Sequence, residues 1–142
     1  MSQKVNVGYV GWFSYDDTSY SIPYAVCDIN EEKLQRFSSE HPDVKTFTDY
    51  RELAADPELD VAIISSPNWL HCEMTECFLG HGKHVFCEKP MGINREEMDR
   101  MLVAQRQSGC QLSLDFEMSS SPATVRAKES IDSGKIGELK GL

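Results

Sequence analysis

Two short apolar runs, each ending in a polar turn, constrain this chain more than any other feature. The first is Asp60-Val-Ala-Ile-Ile-Ser-Ser-Pro-Asn-Trp-Leu-His71; the second is His84-Val-Phe-Cys-Glu-Lys-Pro90. Val61 to Ser65 reads as a strand without apolar–polar alternation. That pattern belongs to a strand covered on both faces, as in a parallel sheet between layers of helices. His84 to Cys87 reads the same way, and then meets an acid, a base and a proline. Proline lacks an N–H and fixes its own φ, so Pro90 stops the strand and sets the direction of Lys89. The carboxyl ends of strands in such a sheet form its ligand crevice. Polar side chains at those ends therefore stand beside whatever binds there.

The rest of the chain continues the alternation. Val5 to Val10 is a strand that leads into Gly11, and Tyr24 to Cys27 is a second strand that ends at Asp28. Asn30 caps a helix with Glu31 and Glu32 in its first turn, where acids suit the positive end of the macrodipole. Leu34 and Phe37 form its apolar face. Val44 to Phe47 is a third strand, and Thr48 caps a helix through Ala55 that Pro57 closes. Asn68 or Ser66 caps the helix after the fourth strand, with Leu70, Met74, Cys77, Phe78 and His81 on one stripe and Gly82 at its end. Asn94 is the next N-cap, with Glu97 completing a capping box and Ile93 and Met98 forming a hydrophobic staple. Met98, Met101 and Leu102 then face the core. Gly109 closes that helix, and Gln111 to Phe116 is a sixth strand. Ser121-Pro122 opens a last helix that runs to Gly134. Roughly six strands and five helices in alternation predict an α/β fold, a doubly wound parallel sheet of the Rossmann kind, over residues 1–134.

The first turn of such a sheet faces the pyrophosphate of a dinucleotide. It needs glycines for the tight bend, for close approach of the phosphates and for helix–strand packing. Gly11 fills the first position. Phe13 and Asp16 stand at the second and third, and Asp17 adds another acid. Only Trp12 to Pro23 separates Gly11 from Tyr24, so the first crossover is short, near the minimum for a parallel connection. Asp28 has two readings. An acid just after the second strand accepts both ribose hydroxyls of an adenosine and repels a 2′-phosphate, favouring NAD over NADP. The alternative is a local capping role near Asn30.

The order strand, Pro67-Asn68-x-x-His71, helix, Gly-Lys-His, strand, Glu88-Lys89-Pro90 resembles the Gfo/Idh/MocA family of NAD(P)-dependent sugar and polyol oxidoreductases. The resemblance runs from about Val5 to Leu142. It implies that Lys89 lies near the nicotinamide and the substrate hydroxyl and polarises a carbonyl or helps move a proton. It implies that Glu88 holds the ribose or carboxamide side of the cofactor and that Pro90 keeps the turn rigid. By the same resemblance Gly11, Trp12 and Phe13 face the pyrophosphate, while Ser65, Ser66, Pro67, Asn68 and His71 line the cofactor cleft. For His71 a surface helix histidine is the other reading. Residues 135–142 resemble the start of the family's second, α+β domain, which would lie beyond Leu142. A truncated family member is therefore expected to need that domain for a sugar, inositol or polyol substrate, and to be inactive alone. The degraded glycine turn supports a second hypothesis, a non-catalytic scaffold or interaction module. A partner or a second copy is expected to cover the C-terminal end.

Composition excludes other classes. With 14 basic and 23 acidic residues the net charge is −9, which argues against nucleic acid and against anionic membrane surfaces. The five cysteines form no Cys-x-x-Cys pair, so free thiols in a reducing, cytoplasmic setting are expected. The four histidines have no metal-ligand spacing with the cysteines, and no metal is expected. No nucleophile elbow and no Gly-Lys-Ser/Thr phosphate loop is present.

Overall fold

The computed structural model describes residues 4–11, 21–116, 121–138 and 140. Its centre is a parallel sheet of β1 (Val5–Gly11), β2 (Ser21–Cys27), β3 (Lys45–Phe47), β4 (Val61–Ser65), β5 (His84–Cys87) and β6 (Leu112–Leu114). The strand order is β3-β2-β1-β4-β5-β6, and every pairing is parallel. The chain therefore moves outward from β1 to β3, then returns to the other side of β1 with β4. That reversal is the switch point, and the crevice opens at the carboxyl ends of β1 and β4. Gly11 and Ser65 are paired there.

Alternation along the strands divides the core in two. Val10, Ala25, Cys27, Ala62, Ile64, Val85 and Cys87 point to one face. They meet α2 (Tyr50–Ala55), α3 (His71–Gly80) and α4 (Arg95–Ser108) through Leu53, Phe78, Leu79 and Met101. Ala25, Leu53, Ala62, Ile64, Phe78, Cys87 and Met101 are fully buried. Val26 points to the other face, where Leu34 and Phe37 of α1 (Glu31–Glu40) cover it beside Tyr9 and Val44. The last helix, α5 (Pro122–Asp132), buries none of its residues.

The caps show where local sequence decides. Asn30 accepts from Lys33 N, Asn94 from Glu97 N and Ser121 from Thr124 N, and Pro122 opens α5. Gly109 ends α4 with a left-handed φ of 70°, which glycine adopts without steric cost. Several expectations fail, and the sixth strand is Leu112–Leu114, shorter than the expected Gln111 to Phe116. Asp49, not Thr48, caps α2, accepting from Arg51 N. Neither Ser66 nor Asn68 caps α3. Instead a 3₁₀ turn, Asn68–Leu70, feeds the helix without a side-chain cap. Leu102 is 38% exposed, because Met101 alone of α4 is fully buried, and His81 is also exposed. Finally, β2 starts at Ser21, three residues before the expected Tyr24. Its pairing to β1 slips between Val7 and Gly8, opposite Pro23 and Ala25. The irregularity places Pro23, which cannot donate to a ladder, where β2 has no β3 partner. Only residues 12–20 then separate two parallel strands.

Candidate functional site

The ends of β1, β2, β4 and β5 bring most of the expected residues to one edge. Asp28 follows β2, and its N–H continues the ladder to Phe47 O at 3.2 Å. Glu88 follows β5, and its N–H reaches Ile64 O at 2.9 Å. Ser65 closes β4, and Ser66, Pro67 and Asn68 form the turn after it. Gly11 sits across from Ser65 with a φ of 92°. A Cβ at this position would lie 2.6 Å from Ser65 O and 2.9 Å from Ser65 C. Glycine is therefore required by both the backbone angle and the neighbouring strand. Trp12, Phe13, Asp16 and Asp17 lie outside the described residues.

Asp28 is held in place by its neighbours. Its Oδ1 accepts from Asn30 N at 2.9 Å, and its Oδ2 accepts from Lys33 Nζ at 3.1 Å. Asn30 Oδ1 in turn accepts from Lys33 N at 3.0 Å. The local reading of Asp28 is met, since the carboxylate holds the start of α1. A cavity of about 240 Å³ lies between α1 and the ends of β1 and β2, bordered by Gly11, Cys27, Asp28, Lys33, Arg36 and Phe37. Lys33 and Arg36 had no place in the sequence reading. The available signal was the spacing Asp28-x-Asn30-x-x-Lys33, in which a cap returns its third residue toward the acid.

His71 departs most from expectation. It is fully buried, neither lining an open cleft nor lying on the surface. Its Nδ1 stands 2.7 Å from Pro90 O, and its Nε2 stands 2.9 Å from Ser66 O. Both partners are carbonyl oxygens, so the ring donates to one of them from whichever nitrogen carries its N–H, and it sits between the turn after β4 and the turn after β5. Ser66 Oγ, in the turn after β4, is buried and has no partner among the described protein groups. In the turn after β5, Lys89 N donates to Glu88 Oε2 at 3.2 Å, and Lys89 Nζ lies 3.6 Å from the same oxygen. Lys89 is 58% exposed at its side chain and Glu88 32%. The Lys89–Pro90 peptide is cis.

The thiols near this edge are not nucleophiles. Burial pushes the Cys27 thiol up to about 12, with Asp49 and Asp28 adding to the effect. Burial likewise pushes Cys87 up to about 11, with Glu88 adding to it. The thiolate is the reactive form, so both are held inert. Among the described residues no three His, Cys, Asp or Glu side chains gather as a metal site, and no helix is long and apolar enough to cross a membrane.

The donor set fits a dinucleotide. It combines a carboxylate after β2, a glycine required at the end of β1, an unpartnered buried hydroxyl at Ser66, and a charged pair after β5. Comparison with known proteins agrees. A family profile described as oxidoreductase family, NAD-binding Rossmann fold, matches residues 12–116. A scyllo-inositol 2-dehydrogenase (NADP(+)) of Bacillus subtilis is 39% identical over 60% of this chain and 26% of its own length. A myo-inositol 2-dehydrogenase of Thermotoga maritima is 30% identical over 83% of this chain and 35% of its own. The chain thus spans about a third of the length of the curated relatives it matches. The crystal structure of apo scyllo-inositol dehydrogenase from Lactobacillus casei shares the fold with a TM-score of 0.87 at 26% identity, over 97% of this chain and 44% of that one. The same enzyme solved with bound cofactor NAD(H) and scyllo-inositol gives a TM-score of 0.87 at 24% identity, over 96% of this chain and 43% of its own. A sheet that reverses direction beside β1, a family profile over most of the chain and relatives of one kind make this chain a member of the Gfo/Idh/MocA oxidoreductase family, carrying its NAD-binding Rossmann domain.

Proposed function

We propose that the chain is the coenzyme-binding part of an NAD(P)-dependent oxidoreductase acting on an inositol, a sugar or a related polyol. The observation that carries this reading is the convergence of Asp28, Ser66, Glu88 and Lys89 on one sheet edge at the switch point. In this reading Asp28 accepts from the adenosine ribose, and the turn Gly11-Trp12-Phe13 faces the pyrophosphate. Ser65, Ser66, Pro67 and Asn68 line the middle of the cleft, and Glu88 steadies the nicotinamide side. The bound coenzyme supplies the hydride acceptor. Lys89 holds or removes the proton of the substrate hydroxyl at Nζ, with Glu88 Oε2 stabilising its charged form and Pro90 fixing its direction. His71 acts from below, by joining the two turns. The substrate would be enclosed by a second domain of the kind the longer relatives have room for. A reducing, cytoplasmic setting belongs to this reading, since all five cysteines are unpaired.

The coenzyme preferred is NAD over NADP, because a 2′-hydroxyl donates to Asp28 whereas a 2′-phosphate meets its charge. The Bacillus subtilis relative is named for NADP(+), so the preference belongs to this chain's own residues. Binding is weak, because Phe13 and Asp16 occupy positions where glycines admit the phosphates, and each 1.4 kcal/mol lost is about tenfold in affinity. Those two residues also favour a second reading, a non-catalytic scaffold that keeps the fold. Calorimetric titration with NADH separates the two. The expected result is weak but saturable binding, lowered about tenfold or more by Asp28→Ala, given that hydrogen bonds to a charged group are each worth about 1.5–3 kcal/mol. Absence of NADH binding, also after Asp16→Gly, would leave the scaffold.

A further inference from the structure

We propose that His71 and Cys87 are positioning residues for Lys89, gripping the two backbone carbonyls that flank it. The importance of Lys89 rests on the coenzyme reading above; the grip itself belongs to the chain alone. Lys89 stands between Glu88 and Pro90, and each neighbour's carbonyl has a buried side chain against it. Cys87 Sγ donates to Glu88 O at 3.3 Å, and His71 Nδ1 lies 2.7 Å from Pro90 O. His71 and Cys87 are both fully buried. The Lys89 side chain, by contrast, is 58% exposed, and its Nζ is 3.6 Å from Glu88 Oε2, beyond hydrogen-bond distance. So loose an exposed pair holds a long side chain weakly. The ammonium ends a flexible four-carbon stem, and its aim is set by the backbone at the root of that stem. His71 opens α3, and Cys87 ends β5 and pairs with Ile64 of β4. The grip therefore ties the turn to the helix layer and to the sheet at once. A thiol donates only while protonated. Burial pushes Cys87 up to about 11, so it keeps its S–H across the neutral range and serves as a donor where it cannot serve as a nucleophile. At 2.7 Å a carbonyl oxygen and a ring nitrogen need a proton between them, so Nδ1 of His71 carries an N–H.

The test is nitrogen-15 NMR of the full chain, free and titrated with NADH, for the wild type, Cys87→Ala, Cys87→Ser, His71→Ala and His71→Gln. The wild type should show a protonated His71 Nδ1 and a Lys89 backbone order parameter of about 0.85, that of rigid backbone. Cys87→Ala and His71→Ala should each lower the Lys89 value toward about 0.6 while β4 and α3 keep theirs. Cys87→Ser and His71→Gln, which keep a donor, should restore it in whole or in part. The NADH dissociation constant should rise about two- to tenfold in each alanine variant, the scale of one hydrogen bond, and fall back in the donor-keeping ones. If His71→Ala does not fold, Cys87→Ala and His71→Gln carry the test. An unprotonated Nδ1 overturns the grip at Pro90. A Lys89 backbone as rigid in the folded alanine variants as in the wild type overturns the proposal, and so does loosening spread equally over β4 and α3, which is general destabilisation. A Lys89 backbone loosened as expected in a chain that binds no NADH supports the grip and overturns the coenzyme reading alone.

Discussion

His71 shows what a single residue type can and cannot disclose. Its position, three residues past Asn68 and at the start of a helix, was legible. Its burial was not, because a histidine's partners here are the carbonyls of Ser66 and Pro90, and the latter becomes a neighbour only once β5 lies beside β4. The same limit hid Lys33, whose pairing depends on how α1 leaves Asp28. Gly11, by contrast, could be placed from its position at the end of an apolar strand, and the 2.6 Å approach of Ser65 O gives the reason. If His71 holds the two turns together, His71→Ala removes a hydrogen-bond donor and a fully buried side chain from between them. Leaving a buried polar group unsatisfied costs about 1–3 kcal/mol, so the expected loss is about 2–4 kcal/mol in urea denaturation, with the m-value unchanged. His71→Gln, which keeps one donor, should recover part of it. A His71→Ala variant within about 0.5 kcal/mol of wild type would remove the pinning role.

At the scale of elements, β4 and β5 were read from the sequence with correct bounds, since an unbroken apolar run between polar turns has few other uses. The start of β2 was missed because proline argues against a central strand, and only the irregular pairing at Pro23 resolves that conflict. The cap of α2 was missed because Thr48 and Asp49 are both good caps, and one residue of helix phase decides between them. The same elements carry buried thiols: Cys27 ends β2, Cys87 ends β5 and Cys72 lies in the first turn of α3. Burial raises Cys27 to about 12 and both Cys72 and Cys87 to about 11, from 9.0. The sign follows from linkage. Below pH 9 these thiols are protonated in the folded and the unfolded chain alike, and they leave stability unchanged. Above pH 9 the unfolded chain sheds protons that the folded chain keeps, so stability falls as pH rises toward 11 or 12. The slope is about 1.4 kcal/mol per thiol per pH unit. Urea midpoints should therefore fall above pH 9, and less steeply in Cys27→Ala. An identical slope in that variant between pH 9 and 11 would contradict the burial of this thiol.

The whole molecule sets charge against exposed apolar surface. Its net charge of −9 repels a second copy. Against this, Val125 and Ile131 of α5 are 44% and 36% exposed, and Ile136 just after the helix is 61% exposed. Since α5 buries none of its residues, its stabilisation by packing has to come from another surface. We expect that surface to be a second copy when the chain is alone. Fully burying a Val or Ile side chain is worth about 1.5–3 kcal/mol, and these three are already partly covered. Two copies together gain less than about 18 kcal/mol, against an association cost of about 4–15 kcal/mol before charge repulsion. The balance predicts weak dimerisation, at high micromolar concentration. Salt should strengthen it, because the repulsion between the acidic copies is screened over about 10 Å at 0.1 M ionic strength and over about 3 Å at 1 M, while apolar contact is not weakened. Sedimentation equilibrium at low and at high salt measures both effects. The expected result is a mass that rises toward the dimer with concentration, more so at high salt, and that Ile131→Glu with Ile136→Glu returns to the monomer. A chain that stays monomeric at several hundred micromolar and high salt would show that α5 does not self-associate.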